Sequence, residues 1–519
     1  TINTKSMNYV NDVVLKYKNG FDQFWEYAIN MAVIPDHFFG AERLHDNLMT
    51  YSMADRDGWW TVGLRYKNDT ESSYGRLIHW ARNIRNASHI SDASLLNITI
   101  SLAWMLTSTN RALRDTTTKS IANILRNRPQ SSLSLLKKFA EVNDPYVKER
   151  VFAGVYGSIM LSNANEIKLK EIASYIYQII FDSSEVYPHV LLRDYAREII
   201  EYYVFLQGSD LGFDMKKVRP PYNSSFPKKM PSDKEISEKY DLDTDDPGFE
   251  KKNYAQLDIL SSMATEYGKR MYGDFGRYTF QSALRNWDKS PIDLSNLAIE
   301  WIFEKHGYDS NIHGEFDREI GHGRGRGNQP NERIGKKYQW IALHEMIARL
   351  SDNFSMQERY GDKEEISFSG PWEPTVRDID PTHNVIKTKG QLNMDRLKSE
   401  HWWLPDFQNW DGDSEKWVER TDDLPLVNSL IELEDKKGNE WLVLKAYPGW
   451  SEPRPIGVEQ YDLPFKSVWM HVNAYFIKNK DREMFTKWSK QQDFMGMWMP
   501  SPPDITQLFS REYYWSPAY

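Results

Sequence analysis

Residues 144–157, DPYVKERVFAGVYG, decide the fold. Asp144 reads as a helix cap and Pro145 as the first helical residue, a position whose N–H is unsatisfied in any case, so proline is harmless there. Val155 and Ile159 follow Val147 at eight and twelve positions, offsets that share one face of a 3.6-residue helix. The apolar-basic-acidic triplet Val147-Lys148-Glu149 has two counterparts. They are Leu113-Arg114-Asp115, followed by Ile121 and Leu125, and Leu192-Arg193-Asp194, followed by Ile200 and Val204.

The spacings between these triplets, 34 and 45 residues, suit paired-helix repeats of about 35–47 residues, and the central string resembles the second helix of a HEAT repeat. Only four prolines (Pro35, Pro129, Pro145, Pro188) precede residue 207, so the chain up to that point is free to be helical. The expectation is a mainly α protein, with a HEAT-like α-solenoid over 70–206 inside a helical region 1–206, followed by a C-terminal α+β domain. An irregular helical bundle with coincidental triplets is the alternative.

The 519 residues suggest several structural units. Hydrophobic residues make up 40 % and charged residues 27 %, which excludes a disordered or fibrous chain. The net charge of −9, from 65 basic and 74 acidic residues, argues against a protein that coats nucleic acid or anionic membrane. With no cysteine, disulfides, thiolate metal sites and a cysteine nucleophile are excluded, and a reducing, cytoplasmic setting fits. No apolar run nears the roughly 20 residues of a membrane span. The first residue is Thr1, so a fragment or a processed form is expected.

Residues 207–250 are rich in proline, serine and charge and read as a linker or long loop. Residues 251–365 read as a helical domain, in which Asn331–Leu350 is apolar around most of its circumference and should be a buried central helix. Thirteen prolines follow residue 370, and fourteen of the nineteen tryptophans occur from Trp287 onward. Residues 366–519 therefore read as an aromatic-rich α+β domain. It should hold a hairpin, 426–433 with 441–447 around DKKGN, a strand over 468–477 and a helix over 481–491.

Four patterns are candidates for chemistry. The glycine-rich loop GHGRGRGN (321–328) offers backbone N–H groups and the forked donors of Arg324 and Arg326, with Asn328, to an anion; a plain surface loop is the bland reading. Asp378, Asp380 and His383 of RDIDPTH could collect a divalent metal, or Asp380 could cap a turn with His383 facing solvent. Trp402, Trp403 and Trp410 could form a partner-binding surface or fill a core. His344-Glu345 lacks the second histidine of a zinc protease, because position 348 is Ala, so His344 reads as a core residue. Neither GxxxxGK[ST] nor G-x-S-x-G occurs.

Three stretches carry a family resemblance: LRDTTTKSIANIL with DPYVKERVFAGVYG, NERIGKKYQWIALHEMIARLSDN with GPWEPTVRDIDP, and QDFMGMWMPSPPDITQLFSREYYWSPAY. They resemble the C-terminal sensor region of large bacterial STAND (NACHT-like) antiviral ATPases of the AVAST type. The resemblance implies a helical-repeat module that binds a foreign protein, possible partners including phage structural proteins, with oligomerisation belonging to the intact protein. It implies no cofactor in this chain; ATP and Mg would enter only with a preceding ATPase domain. No catalytic residue carries over. Two alternatives stand beside this reading: a metal-assisted phosphodiesterase or nuclease using Asp378, Asp380 and His383, and a nucleic-acid-binding module using the Arg324/Arg326 loop.

Overall fold

A computed structural model describes residues 4–14, 20–64, 72–163, 169–208, 212–266, 273–321, 331–357, 365–366, 377, 379–383, 428, 431–434, 437–447, 449–451, 467–469, 472–473, 476–491 and 508–517. The chain is mainly helical and divides into two compact units, Thr1–Asn384 with Asp504–Tyr519, and Val385–Pro503.

The first unit opens with α1 (Thr4–Asp12), α2 (Gly20–Ala32), α3 (Ala41–Met49) and α4 (Met53–Arg56), the last running into a π-helical turn, Asp57–Thr61. Next comes an alternation of helices: α5 (Ser73–Asn83), α6 (Asp92–Met105), α7 (Arg111–Ile124), α8 (Pro129–Lys138), α9 (Pro145–Leu161), α10 (Lys170–Ile176) and α11 (Val190–Gln207). The odd-numbered helices α5, α7, α9 and α11 pack side by side, and α6, α8 and α10 form a second row against them. This two-row stack of helix pairs is an α-solenoid.

Each helix of the stack starts where its sequence lets it. Ser72, Ser91, Asn110 and Asp144 accept backbone N–H groups at the starts of α5, α6, α7 and α9, and Pro129 and Pro145 occupy first turns. The three triplets lie on α7, α9 and α11, and their cations make one repeated contact. Arg114 lies 4.4 Å from the Tyr146 ring centroid, Lys148 4.5 Å from that of Tyr187 and Arg193 4.8 Å from that of Tyr222. Every cation thus covers an aromatic ring brought by the following segment. Ile121, Leu125, Val155, Ile159 and Ile200 are buried as their spacing predicts, and Val204 is half-buried.

Helix α9 has no exposed face: it is buried from Pro145 to Met160 except at Lys148, which is half-buried. Close approach requires Gly154 and Gly157. A Cβ on Gly154 would lie 2.8 Å from Ile121 Cγ2, and one on Gly157 would lie 2.9 Å from both the Ala122 and the Pro381 Cβ atoms. Residues 377, 379–383 and 508–517 seat against α9 and α11. Tyr195 donates to the Ile379 carbonyl at 3.1 Å, and Arg511 donates to the Met160 carbonyl at 3.2 Å.

Residues 207–250 are more than a linker. They carry α12 (Asp233–Tyr240), bury Val218, Tyr222, Ile236 and Tyr240, and tie α11 to the helices that follow. Those are α13 (Tyr254–Met263), α14 (Ser282–Leu284) after a π-helical segment Phe275–Gln281, α15 (Pro291–Glu300) continuing into a π-helical Trp301–Lys305, α16 (Ser310–Gly321) and α17 (Ile334–Asn353). Helix α17 is buried on nearly all sides, as its composition predicts, and packs on α11, α13, α15 and α16. Short β1 (Met356–Gln357) and β2 (Glu365–Ile366) pair antiparallel after it. The first unit therefore runs through the boundaries expected at 206, 250 and 365.

In the second unit, β3 (Glu432–Glu434) and β4 (Glu440–Leu442) form the expected hairpin. Leu433 stands opposite Trp441, and Gly438 takes the turn at φ 80°. Strand β5 (Lys445–Ala446) pairs with β8 (Val472–Asn473), and β6 (Gly449–Ser451) with β7 (Ser467–Trp469), both antiparallel. A helix follows at Arg482–Ser489. No described helix is long and apolar enough to cross a membrane.

Candidate functional site

Helix α17 brings Lys337 to the foot of the stack. Its ammonium lies 2.8 Å from Asp144, the cap of α9, and 2.9 Å from Asp57 in the first π-helical turn. Arg56 stands 3.7 Å from Asp144 and donates to Asn143 at 2.7 Å. Two carboxylates face two cations, all of them buried. Balanced charge makes the cluster tolerable in the interior without making it a reactive centre.

A second buried network lies where the C-terminal segment meets α11. Arg377 pairs with Asp194 at 2.5 Å and Glu512 at 2.6 Å; Arg197 pairs with Asp194 and, at 2.9 Å each, with Glu198 and Glu201. Arg219 holds Glu201 from the edge at 3.0 Å, and the Tyr156 hydroxyl donates to Glu512. Four carboxyls share three guanidinium groups. Burial pushes the Glu198 carboxyl well above the carboxylate range despite Arg197 and Arg377 nearby, whereas Arg377 and Arg197 hold Asp194 below it against the same burial.

Near the start of α9 opens a cleft of about 450 Å³. Its walls come from the turn before α9, the π-helical Tyr177–Phe181, the loop into α11, the end of the π-helical Trp301–Lys305 and one face of α17. Ile179, Ile180 and Ile341 give it an apolar side; Lys148, Lys305, Arg349, Glu185 and Glu345 give it charge. Glu345 is the hub. It accepts from Lys305 and, at 2.7 Å, from Arg349, which also reaches Glu185 at 3.0 Å. Lys305 and the neighbouring cations keep Glu345 ionised below the usual range although it is buried.

Three histidines surround this hub. His189 and His344 face each other with ring centroids 5.1 Å apart, and His306 Nε2 lies 3.7 Å from Glu345. Burial lowers His189 well below its ordinary value and His306 to about 4, so both rings are neutral at pH 7. His344 is a core residue, as its place on the helix predicts.

The sequence candidates fall elsewhere. Arg324, Arg326 and Asn328 lie outside the described residues, as do Trp402, Trp403, Trp410 and Asp378. Asp380 accepts from the Thr382 N–H at 2.8 Å and its hydroxyl at 2.7 Å, a side-chain turn, and His383 is exposed. Among the described residues no group of three histidine, aspartate or glutamate side chains is placed to hold a metal ion. Sequence reasoning named neither the cleft nor its hub, because its charged groups come from positions 148 to 349 and share no local spacing. The one available signal was Lys148 at the middle of a repeat triplet.

A third feature is an aromatic ledge at the end of α11. Tyr202 stacks on Phe205 with ring centroids 6.3 Å apart, Trp515 packs on Tyr202 at 5.0 Å and Tyr514 on Phe205 at 6.0 Å. Tyr202 and Trp515 are buried, whereas Phe205 is 49 % and Tyr514 63 % exposed.

Fold and sites thus define a helical-repeat protein whose stack is filled from within by its own chain. Compared with family models, with curated proteins and with solved structures, the chain matches none.

Proposed function

We propose that this chain is a macromolecule-recognition module, the sensor portion of a cytoplasmic STAND-type antiviral ATPase, and that it binds a foreign protein without catalysing a reaction on it. The observation that carries the reading is the aromatic ledge. Phe205 and Tyr514 stand exposed on a base of buried Tyr202 and Trp515, and that base is fixed by the Glu512–Arg377–Asp194 ion pairs. Exposed aromatic side chains on a rigid support are the residues that dominate protein–protein affinity once a partner desolvates them. The sequence resemblance supplies the class of partner, a phage structural protein, and assigns ATP, Mg and oligomerisation to the intact ATPase.

The face of α9 and α11 that a solenoid often offers to its ligand is filled here by residues 379–383 and 508–517, so binding falls to the rim. The test is co-expression of the full chain with individual capsid, portal and tail proteins from a phage panel, followed by size-exclusion chromatography. A discrete complex lost in Phe205→Ser/Tyr514→Ser, with an unchanged melting temperature, is the expected result. A well-folded sample that forms no complex with any of them overturns the reading.

A further inference from the structure

The cleft between α9 and α17 is lined by residues with polar groups that find no partner among the described residues. His189 Nδ1 accepts the Leu192 N–H at 3.3 Å, so the single proton of its neutral ring sits on Nε2, a buried donor that meets no acceptor among the described residues. His306 Nε2 is also without a hydrogen-bond partner among them, on a side chain 8 % exposed. The Lys148 ammonium packs over Tyr187 and makes no ion pair among the described residues, while Lys305 and Arg349 share the Glu345 carboxylate. Three cations thus face two carboxylates, Glu185 and Glu345, on the wall of one cavity. Unsatisfied buried donors call for an explanation, and an acceptor-bearing ligand supplies one. Two of the walls are π-helical turns, an uncommon conformation that recurs at binding sites.

We propose that this cleft binds a small organic oxyanion, its phosphate or carboxylate head received by the Lys148 ammonium and the His189 Nε2–H, and its flat apolar body lying on Ile180 and Ile341. The volume is in the range that holds a small molecule, and a largely polar and charged lining with one apolar side suits a ligand that carries a charged head. The neutral imidazole contributes a directed donor, and Lys148 contributes the charge. This site is separate from the aromatic ledge, and its failure would leave the recognition reading untouched.

The experiment is an NMR titration of the full chain with phenyl phosphate, with benzoate and with benzyl alcohol, which share a ring and differ in the head. At least one anion is expected to bind about tenfold or more tighter than the alcohol. Lys148→Met should weaken that anion by about tenfold and Lys148→Arg should restore it. His189→Asn, which keeps an acceptor for the Leu192 N–H, should weaken it as well. Binding by phenyl phosphate alone assigns a phosphate ligand, and binding by benzoate alone a carboxylate. Equal affinity for all three, no binding by either anion, or anion binding indifferent to Lys148→Met in a protein with wild-type melting, overturns the proposal.

Discussion

The Tyr156 hydroxyl donates a 2.5 Å hydrogen bond to the Glu512 carboxylate across 356 residues of sequence, joining the middle of the stack to the chain's last described segment. Both side chains are buried, and Glu512 also accepts from Arg377. The C-terminal segment is therefore a structural part of the helical array. Tyr156→Phe should lower the free energy of unfolding by about 1.5–3 kcal/mol, the range for a hydrogen bond to a charged group. Arg377→Met, which leaves Asp194 with Arg197 alone and Glu512 with hydrogen bonds but no ion pair among the described residues, should cost about 3–5 kcal/mol. Urea denaturation followed by circular dichroism measures both, and a Tyr156→Phe protein as stable as the parent would remove the tie.

Two of the three carboxyls that pair with Arg197, Glu198 and Asp194, should respond differently to neutralisation. Burial pushes the Glu198 carboxyl well above the usual carboxylate range, so Glu198→Gln, a near-isostere without charge, should cost less stability at pH 7 than Asp194→Asn. Asp194 is ionised between two guanidinium groups, and Asp194→Asn should cost about 3 kcal/mol or more. Equal losses in the two variants would show that Glu198 is charged.

Lys337 neutralises two buried carboxylates at once. Lys337→Met leaves Asp57 and Asp144 with Arg56 alone, and about 3–5 kcal/mol of stability should be lost. Adding Asp57→Asn should return part of that loss, because the interior then holds one fewer unpaired charge. Denaturation midpoints of the single and double variants test this, and strict additivity would refute it.

Acid should destabilise the chain before its carboxylates titrate. Burial depresses His306 and His45 from 6.5 to about 4 in the folded state. Between those values the unfolded chain binds more protons, so stability is full above about pH 6.5 and falls as the pH drops toward 4. Each histidine contributes a few kcal/mol of that loss. Denaturation midpoints from pH 8 to 4 should show the slope, and His306→Gln should flatten it; a midpoint independent of pH over this window would contradict it.

The helical stack was legible in the sequence, because caps such as Asp144, prolines in first turns and apolar offsets of eight and twelve act within one or two turns of chain. The α17 helix and the β3–β4 hairpin were legible for the same reason: composition around a helix and a glycine at a turn are local signals. The linker or long loop read at 207–250 rested on proline, serine and charge, which report only local breaks and not long-range contacts. Tyr222 beneath Arg193 and the Tyr222 N–H on Asp352 are contacts at a distance.

Helix starts, the triplet period, the absence of thiol chemistry and the lack of an apolar run long enough to cross a bilayer were settled by the amino-acid order alone, since each depends on neighbours within a few turns or on composition. The cleft around Glu345, the upward shift of the Glu198 carboxyl and the filling of the stack by residues 379–383 and 508–517 were decided only by tertiary structure. Desolvation and ion pairing depend on which side chains meet in space, and these come from segments hundreds of residues apart.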